Sequence, residues 1–203
     1  MPTSITKIDY LIPKNKNNLI KNRIFKKIFL KTGIRETYVV NNGEDVIDLA
    51  IKLGKRNKDS IKNCDGIIFV TQTPRYLLPS CSCIIQDKLK LPKNIMTFDI
   101  NMGCSGFVHS LAVAKSLIEN NTLKKVLIVC ADTYNSYFYE NNKNEYLFSD
   151  AASLIIVQKT KFEGIKNFSF GSDGSGYDKI IIKKNKKKIL NLKCQELTSL
   201  LLH

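Results

Sequence analysis

The sequence predicts an α/β protein, a layered αβα unit built on a mostly parallel, mixed central sheet. Short apolar runs of strand length alternate with segments whose apolar residues recur at helical spacing over most of the chain. A short glycine-containing turn at residues 101–106 joins one of these strands directly to one of these helices. In such a sheet the carboxyl ends of the strands form one edge, where we expect the functional crevice.

The predicted elements follow one another with clear boundaries. The first strand ends at Pro13, before an Asn/Lys-rich stretch that predicts a turn. The second helix starts beside Glu44 and Asp45 and ends among lysines, which suits the helix dipole. Strands are predicted at residues 5–12, 37–40, 67–71, 95–100, 126–131 and 154–157, and helices at 19–30, 43–58, 80–89 and 107–118.

The charge balance first suggests a nucleic-acid partner, because the net charge is +14. Only four of the 32 basic residues are arginines, however, and the lysines are spread along the chain with many asparagines. This pattern indicates a compositional bias and not a phosphate-reading patch, so we expect no nucleic acid. The basic helix at 19–30 is consistent with a membrane surface, but without a lipidation signal we favour a solvated helix over a core.

The six cysteines lie mainly in apolar segments and form no C-x-x-C pair. They predict reduced thiols and no metal site. The amino terminus lacks the apolar core of a signal peptide, and no apolar run approaches the length of a membrane span. A cytoplasmic protein without membrane insertion is therefore expected.

Cys104 is the candidate for chemistry. It lies in the segment Asn101–Phe107 (NMGCSGF), between a predicted strand and a predicted helix, with Gly103 and Gly106 on either side. A thiol at a helix start lies near unsatisfied N–H groups and the positive end of the dipole, which favours its nucleophilic thiolate form. A small, inert cysteine buried in a tight turn fits the same spacing.

Four segments, in this order, give the chain a family resemblance: TGIRE at 32–36, NMGCSGF at 101–107, LFSDAA at 147–152 and GSDGS at 171–175. Together they resemble the amino-terminal half of the β-ketoacyl-acyl-carrier-protein synthase III family, among the thiolase-like condensing enzymes. The resemblance covers residues 5–184 and implies a thiolase-like domain at 1–184 with its nucleophile at a strand-to-helix turn. The resemblance favours Cys104 as the acylated nucleophile over the inert thiol.

The resemblance implies an acyltransferase of fatty-acid or related acyl-chain biosynthesis. Cys104 would take an acyl group from acyl-coenzyme A or acyl carrier protein, and a decarboxylated malonyl group would then attack the thioester. The family supplies a catalytic histidine and asparagine from its carboxy-terminal half, and neither His109 nor His203 matches that histidine. The alternative is a catalytically inactive, truncated remnant or an interaction module.

The resemblance also marks substrate-binding positions. Lys27 and Lys31 stand where the family usually places a tryptophan and an arginine that hold the coenzyme A nucleotide. Thr32 matches the family by position, and its alternative is a turn residue. Leu78 stands where the family often has an aromatic that lines the partner subunit's acyl pocket, so a homodimer is expected of the intact form. No permanently bound cofactor is implied.

The segment 185–203 carries no family resemblance and follows a run of lysines at 183–188. It predicts a lysine-rich loop and a short amphipathic helix, whose apolar residues are Leu192, Leu197, Leu200 and Leu201. A second hypothesis is a frameshift in the lysine tract, which would leave the carboxy-terminal thiolase-like domain absent. Sequencing the coding DNA through this tract tests the hypothesis.

Overall fold

The computed structural model describes residues 2–18, 23–137, 147–183 and 191–194. Its strands, in chain order, are β1 (Thr3–Leu11), β2 (Asn15–Asn18), β3 (Glu36–Val39), β4 (Gly66–Val70), β5 (Met96–Ile100), β6 (Lys125–Asp132), β7 (Ala151–Lys159), β8 (Ile180–Lys183) and β9 (Asn191–Cys194). Its helices are α1 (Arg23–Thr32), α2 (Val46–Arg56), α3 (Lys58–Ile61), α4 (Cys81–Lys88) and α5 (Gly106–Glu119).

The chain divides into two compact units. The first, here the sheet unit, comprises residues 1–12, 42–132 and 151–168. The second unit comprises residues 13–41, 133–150 and 169–203.

The sheet unit is organised around one five-stranded sheet with the order β1-β7-β6-β4-β5. Strand β4 pairs in parallel with both β5 and β6, whereas β7 is antiparallel to its neighbours β6 and β1. Four strands therefore run one way and one strand the other, which confirms the predicted mostly parallel, mixed sheet.

Helices cover the sheet on two faces. On one face, Ile68, Ile128 and Ile155 from three neighbouring strands pack in one buried cluster with Ala114 and Ile118 of α5. Helices α2 and α4 contact each other and also contact the sheet. Every residue of β4 is buried, as expected of a central strand with helices on both sides.

Two acidic side chains cap the amino terminus of α2. The side chain of Asp45 accepts a hydrogen bond from the N–H of Ile47, and the side chain of Asp48 accepts one from the N–H of Asp45. This reciprocal capping satisfies N–H groups that the first turn of a helix otherwise leaves unpaired.

In the second unit, the Asn/Lys-rich stretch after Pro13 is a strand and not the predicted turn. β2 pairs antiparallel with β3, and Lys16 forms an ion pair with Glu36 at 2.7 Å. Asparagine has little preference for strands, so the prediction was wrong because pairing to β3, and not local propensity, decides the conformation.

The helix predicted near the carboxyl end is also wrong over residues 191–194, the part of that segment that the structure describes. Residues 191–194 form β9, which pairs antiparallel with β8. The isoleucines of β8 favour a strand, and a segment of this length gains little by forming an isolated helix. Residues 184–190 and 195–203 lie outside the described residues, as do 19–22 of the predicted first helix. The domain boundary at 184 stays a prediction.

Within the ranges that the structure describes, no helix combines the length and the apolar character needed to cross a membrane.

Candidate active site

Cys104 lies between strand β5 and helix α5. The residues Gly103–Ser105 form a single 3-10 turn, and α5 starts at the next residue. The Cys104 side chain is exposed to solvent. The structure thus places this thiol at a strand-to-helix turn, in reach of a ligand, and not among packed apolar side chains.

Glycines allow this turn to form where it does. Gly103 has a φ of +53°, a conformation that other residues rarely adopt. A Cβ atom on Gly103 would also lie 2.9 Å from Oε1 of Gln72. At Gly106, a Cβ atom would lie 2.5 Å from Cγ1 of Val70, at the end of β4. The start of α5 therefore approaches the sheet more closely than a side chain would permit.

The other thiols are in different environments. Burial raises the pKa of Cys64 to about 12 and that of Cys81 to about 11, so both thiols are protonated at neutral pH. Burial likewise raises the pKa of Cys130 to about 11. Among the cysteines whose side chains are described, Cys104 is the exposed one, and Cys83 is half-buried.

Two further polar side chains bind within the turn and the start of α5. Oγ of Ser105 donates to the carbonyl oxygen of Met102 at 2.9 Å. Nδ1 of His109 lies 2.9 Å from the carbonyl oxygen of Ser105, within hydrogen-bond distance. His109 is half-buried on α5.

A carboxylate absent from the sequence predictions, that of Asp132, lies at the end of β6. Its Oδ1 accepts hydrogen bonds from the loop that follows β4, residues 71–73. Burial raises the pKa of this carboxyl group, although its hydrogen bonds act in the opposite direction. A signal was present, because β4 and β6 are both buried strands and polar residues follow each of them at the carboxyl end.

A cavity of about 400 Å³ lies beside β5, and its lining includes Thr71, Phe98 and Asn101. Its outer wall is the loop 74–80, in which Leu77 is 76% exposed and Leu78 is 87% exposed. Leu78 and Asn101 therefore line the same cavity, and Asn101 is three residues before the candidate nucleophile Cys104.

Hydrogen bonds to carboxylates anchor both ends of the loop 74–80, although its tip is exposed. The guanidinium of Arg75 donates to the carboxylates of Asp45 and Asp48 at the start of α2. At the other end of the loop, the carboxylate of Asp99 accepts from the N–H groups of Cys81 at 2.6 Å and Ser82 at 2.9 Å. The apolar tip is thus presented in a defined position.

The remaining predicted substrate residues belong to α1 in the second unit. Lys27 and Lys31 are exposed. Oγ1 of Thr32 donates to the carbonyl oxygen of Ile28 at 2.8 Å and accepts from the N–H of Ile34 at 3.2 Å. Thr32 therefore hydrogen-bonds at the end of the helix, as expected if it is a turn residue. The substrate-binding role of Lys27, Lys31 and Thr32 stays a prediction.

The segment LFSDAA contributes a buried carboxylate to the second unit. Oδ2 of Asp150 accepts from the N–H of Val40 at 3.0 Å, and Oδ1 accepts from the N–H and the side-chain amide of Asn135. Asp150 thus joins the residue after β3 to the 3-10 turn Tyr134–Tyr137. This third segment of the resemblance therefore contributes hydrogen bonds that hold the second unit together.

Burial raises the pKa of Asp150 above its usual value, so the folded protein holds its proton at pH values where the unfolded chain has released it. We expect wild type to gain stability relative to Asp150→Asn as the pH falls through this window, and to lose the gain as the pH rises. The change is at most about 1.4 kcal/mol per pH unit. Urea unfolding of both proteins between pH 4 and 7 measures it, and parallel pH profiles would contradict it.

Three comparisons relate the chain to known proteins. Residues 98–174, which include the cysteine turn, match the family model of 3-oxoacyl-[acyl-carrier-protein] synthase III. The β-ketoacyl-[acyl-carrier-protein] synthase III of Aliarcobacter butzleri is 36% identical over 187 residues, which are 84% of this chain and 55% of the relative. The enzyme of the same name from Clostridium perfringens is 37% identical over 158 residues, which are 75% of this chain and 48% of the relative.

The fold is similar to that of a solved 3-oxoacyl-(acyl-carrier-protein) synthase III. The TM-score is 0.85 at 28% identity, and the match covers 98% of this chain and 68% of that one. This likeness confirms the predicted thiolase-like layered fold. The chain spans about half the length of the curated relatives it matches.

Proposed function

We propose, on the premise that this chain belongs to the β-ketoacyl-acyl-carrier-protein synthase III family, that it performs the acyl-loading step of such an enzyme. Cys104 accepts an acyl group as a thioester, and this thioester serves a decarboxylative Claisen condensation in fatty-acid or related acyl-chain biosynthesis. The observation that supports the proposal most is an exposed thiol in the 3-10 turn that leads into α5, two residues before the first residue of that helix.

The loading step is a thioester exchange. The sulfur of Cys104 attacks the carbonyl carbon of the donor thioester, and a new C–S bond forms as the donor's C–S bond breaks. The proton of the Cys104 thiol passes to the sulfur of the leaving carrier. Negative charge develops on the carbonyl oxygen during the attack, and backbone N–H groups at the start of α5, beginning with that of Cys104, can stabilise it.

The condensation step needs more groups than the described residues provide. Loss of carbon dioxide from a malonyl group leaves a carbanion, and its enolate form requires hydrogen-bond donors. The resemblance implies that a histidine and an asparagine of the carboxy-terminal half supply them. His109, on α5, is hydrogen-bonded to the backbone of Ser105 in the preceding turn, so we assign only acyl loading to the described residues.

We propose that a second thiolase-like half covers an open apolar face of the sheet unit. Ile8 and Tyr10 are alternate residues of β1, and each is 65% exposed. Ile8 lies opposite Ile155, which belongs to the cluster beneath α5, so both residues point to the α5 side of the sheet. An apolar face of this kind is typical of an interface.

The proposed donors are acyl carrier protein and acyl-coenzyme A, with no permanently bound cofactor. The net charge of +14 attracts both an acidic protein and the phosphates of coenzyme A. The exposed Lys27 and Lys31 provide charge but neither a ring to stack on a base nor a planar fork. We therefore expect loading from the carrier protein to be faster than loading from coenzyme A. With these donors we propose a cytoplasmic location.

We also propose a homodimer formed through β5. This strand is an edge of the sheet, so its outer N–H and C=O groups can pair with a second copy. Next to it stands the apolar tip with Leu77 and Leu78, which the loop anchors hold in place.

Leu78→Asp is expected to weaken the dimer at least about 10-fold, because a charge would be buried in the contact. Sedimentation equilibrium measures the dimer constant. Phe162→Asp is the matched control, because Phe162 is 81% exposed in a different part of the sheet unit. Equal dimer constants for the two variants would contradict the proposed contact.

Mass spectrometry tests the proposed function. The folded chain is incubated with acetyl-coenzyme A or with an acyl carrier protein charged with the same acyl group, and the intact mass is followed. An added acyl mass that peptide mapping assigns to Cys104 supports the proposal. If neither donor gives an adduct on a chain that circular dichroism shows to be folded, the proposal fails and the inactive remnant or interaction module is favoured.

A further inference from the structure

We infer that Asp132 is a positioning residue for Cys104, because it holds the loop 71–73 against the turn that carries the thiol. The inference rests on the proposed function. It is carried by hydrogen bonds and close approaches within the sheet unit.

Asp132 binds the loop through one oxygen atom. Its Oδ1 accepts from the hydroxyl of Thr71 at 3.0 Å and from the N–H of Gln72 at 2.8 Å. The same oxygen accepts from the N–H of Thr73 at 3.0 Å and from its hydroxyl at 2.9 Å. Four donors from three consecutive residues thus converge on one carboxylate oxygen. A carboxylate suits this place because it only accepts and because charged acceptors form the stronger hydrogen bonds.

The loop 71–73 in turn lies against both ends of residues 100–103, the segment that leads to Cys104. The N–H of Thr71 donates to the carbonyl oxygen of Ile100 at 3.2 Å, which continues the pairing of β4 with β5 for one residue beyond the end of β4. The side-chain amide of Gln72 lies over Gly103, where a Cβ atom would meet its Oε1 at 2.9 Å. The loop therefore limits the position of the turn from its start to the residue before the nucleophile.

The position of this turn matters more for acyl transfer to Cys104 than for alkylation of the same thiol by a small reagent. Stabilising the oxyanion requires N–H groups aimed at one point in space, and small displacements reduce the rate strongly. Alkylation by a small reagent requires only an accessible thiolate. A positioning residue is thus expected to change the first reaction and not the second.

The test compares Asp132→Ala with Asp65→Ala. Asp65 is a matched control because its carboxylate accepts from the N–H groups of Lys124 at 2.8 Å and Lys125 at 2.9 Å, at the opposite end of β6. Three quantities are measured on each folded variant and on wild type: hydrogen exchange of residues 101–107, acylation of Cys104 by a charged carrier protein, and alkylation of Cys104 by iodoacetamide. Thr73→Val, which keeps the carboxylate and removes one hydroxyl donor, replaces Asp132→Ala if that variant does not fold.

For Asp132→Ala we expect exchange at residues 101–107 to be about 10-fold faster and acylation about 10-fold slower, with alkylation within about twofold of wild type. Thr73→Val is expected to change exchange and acylation by about threefold in the same directions. Asp65→Ala is expected to leave all three at wild-type values. Unchanged exchange at 101–107 in the Asp132 and Thr73 variants would overturn the inference. A wild type that accepts no acyl group would overturn the proposed function, and the exchange data would still decide on Asp132.

Discussion

Replacing Cys104 with alanine is expected to abolish acyl loading, with a fall in rate of at least about 1,000-fold. The reason is that no other described thiol is in a comparable position. Cys64, Cys81 and Cys130 have pKa values raised by burial, so they are protonated and shielded at neutral pH. Little change in stability is expected, because the side chain is exposed.

Cys83→Ala is the matched control for this experiment. Cys83 is the third residue of α4, so it too lies near the start of a helix, but it is half-buried. Intact-mass spectrometry with a charged carrier protein gives the loading rate of each variant, and thermal unfolding checks the fold. Loading at the wild-type rate in Cys104→Ala, or its loss in Cys83→Ala, would contradict the assignment of the nucleophile.

Replacing Gly106 with valine is expected to destabilise the chain by about 3 kcal/mol. The new Cβ would lie 2.5 Å from Cγ1 of Val70, and Val70 is a stiff side chain at the end of the fully buried strand β4. Because neither partner can give way, the start of α5 must move away from the sheet. This displacement also moves the cysteine turn, so acyl loading is expected to fall about 10-fold even in the folded fraction.

Gly171→Val is the control for the size of the side chain. Gly171 is exposed, and a Cβ atom there would meet no other atom within 4 Å. We expect its unfolding free energy to stay within about 0.5 kcal/mol of wild type. Urea unfolding measures both variants, and equal stabilities would show that the close approach of α5 to β4 is not rigid.

The regular elements of the sheet unit were largely predictable because their apolar patterns are strong. The strand predicted at 126–131 is β6, Lys125–Asp132, and the helix predicted at 107–118 is α5, Gly106–Glu119. Errors arose where pairing decided the structure. The polar β2 is held by β3 and has no apolar residues of its own. The four residues of β9, which pairs with β8, are too few for their pattern to decide between strand and helix.

The candidate nucleophile was predictable for a local reason. Gly103 and Gly106 lie within two residues of Cys104, and the strand before them and the helix after them are each recognisable alone. The contact of Asp132 with the loop 71–73 could not be predicted from neighbouring residues in this way. Its hydrogen bond to the N–H of Gln72 spans 60 residues, and nothing in the residues next to Asp132 names that partner.

The sequence by itself determined that strands and helices alternate and that one cysteine stands at the passage from a strand to a helix. Both follow from side-chain periodicity and from glycine, which act over a few residues. The tertiary structure decided that β4 lies between β5 and β6, and this order brings Asp132, the loop 71–73 and the cysteine turn together. The physical reason is that backbone hydrogen bonds are the same for every strand, so burial of the whole sheet, and not any one segment, selects the neighbours.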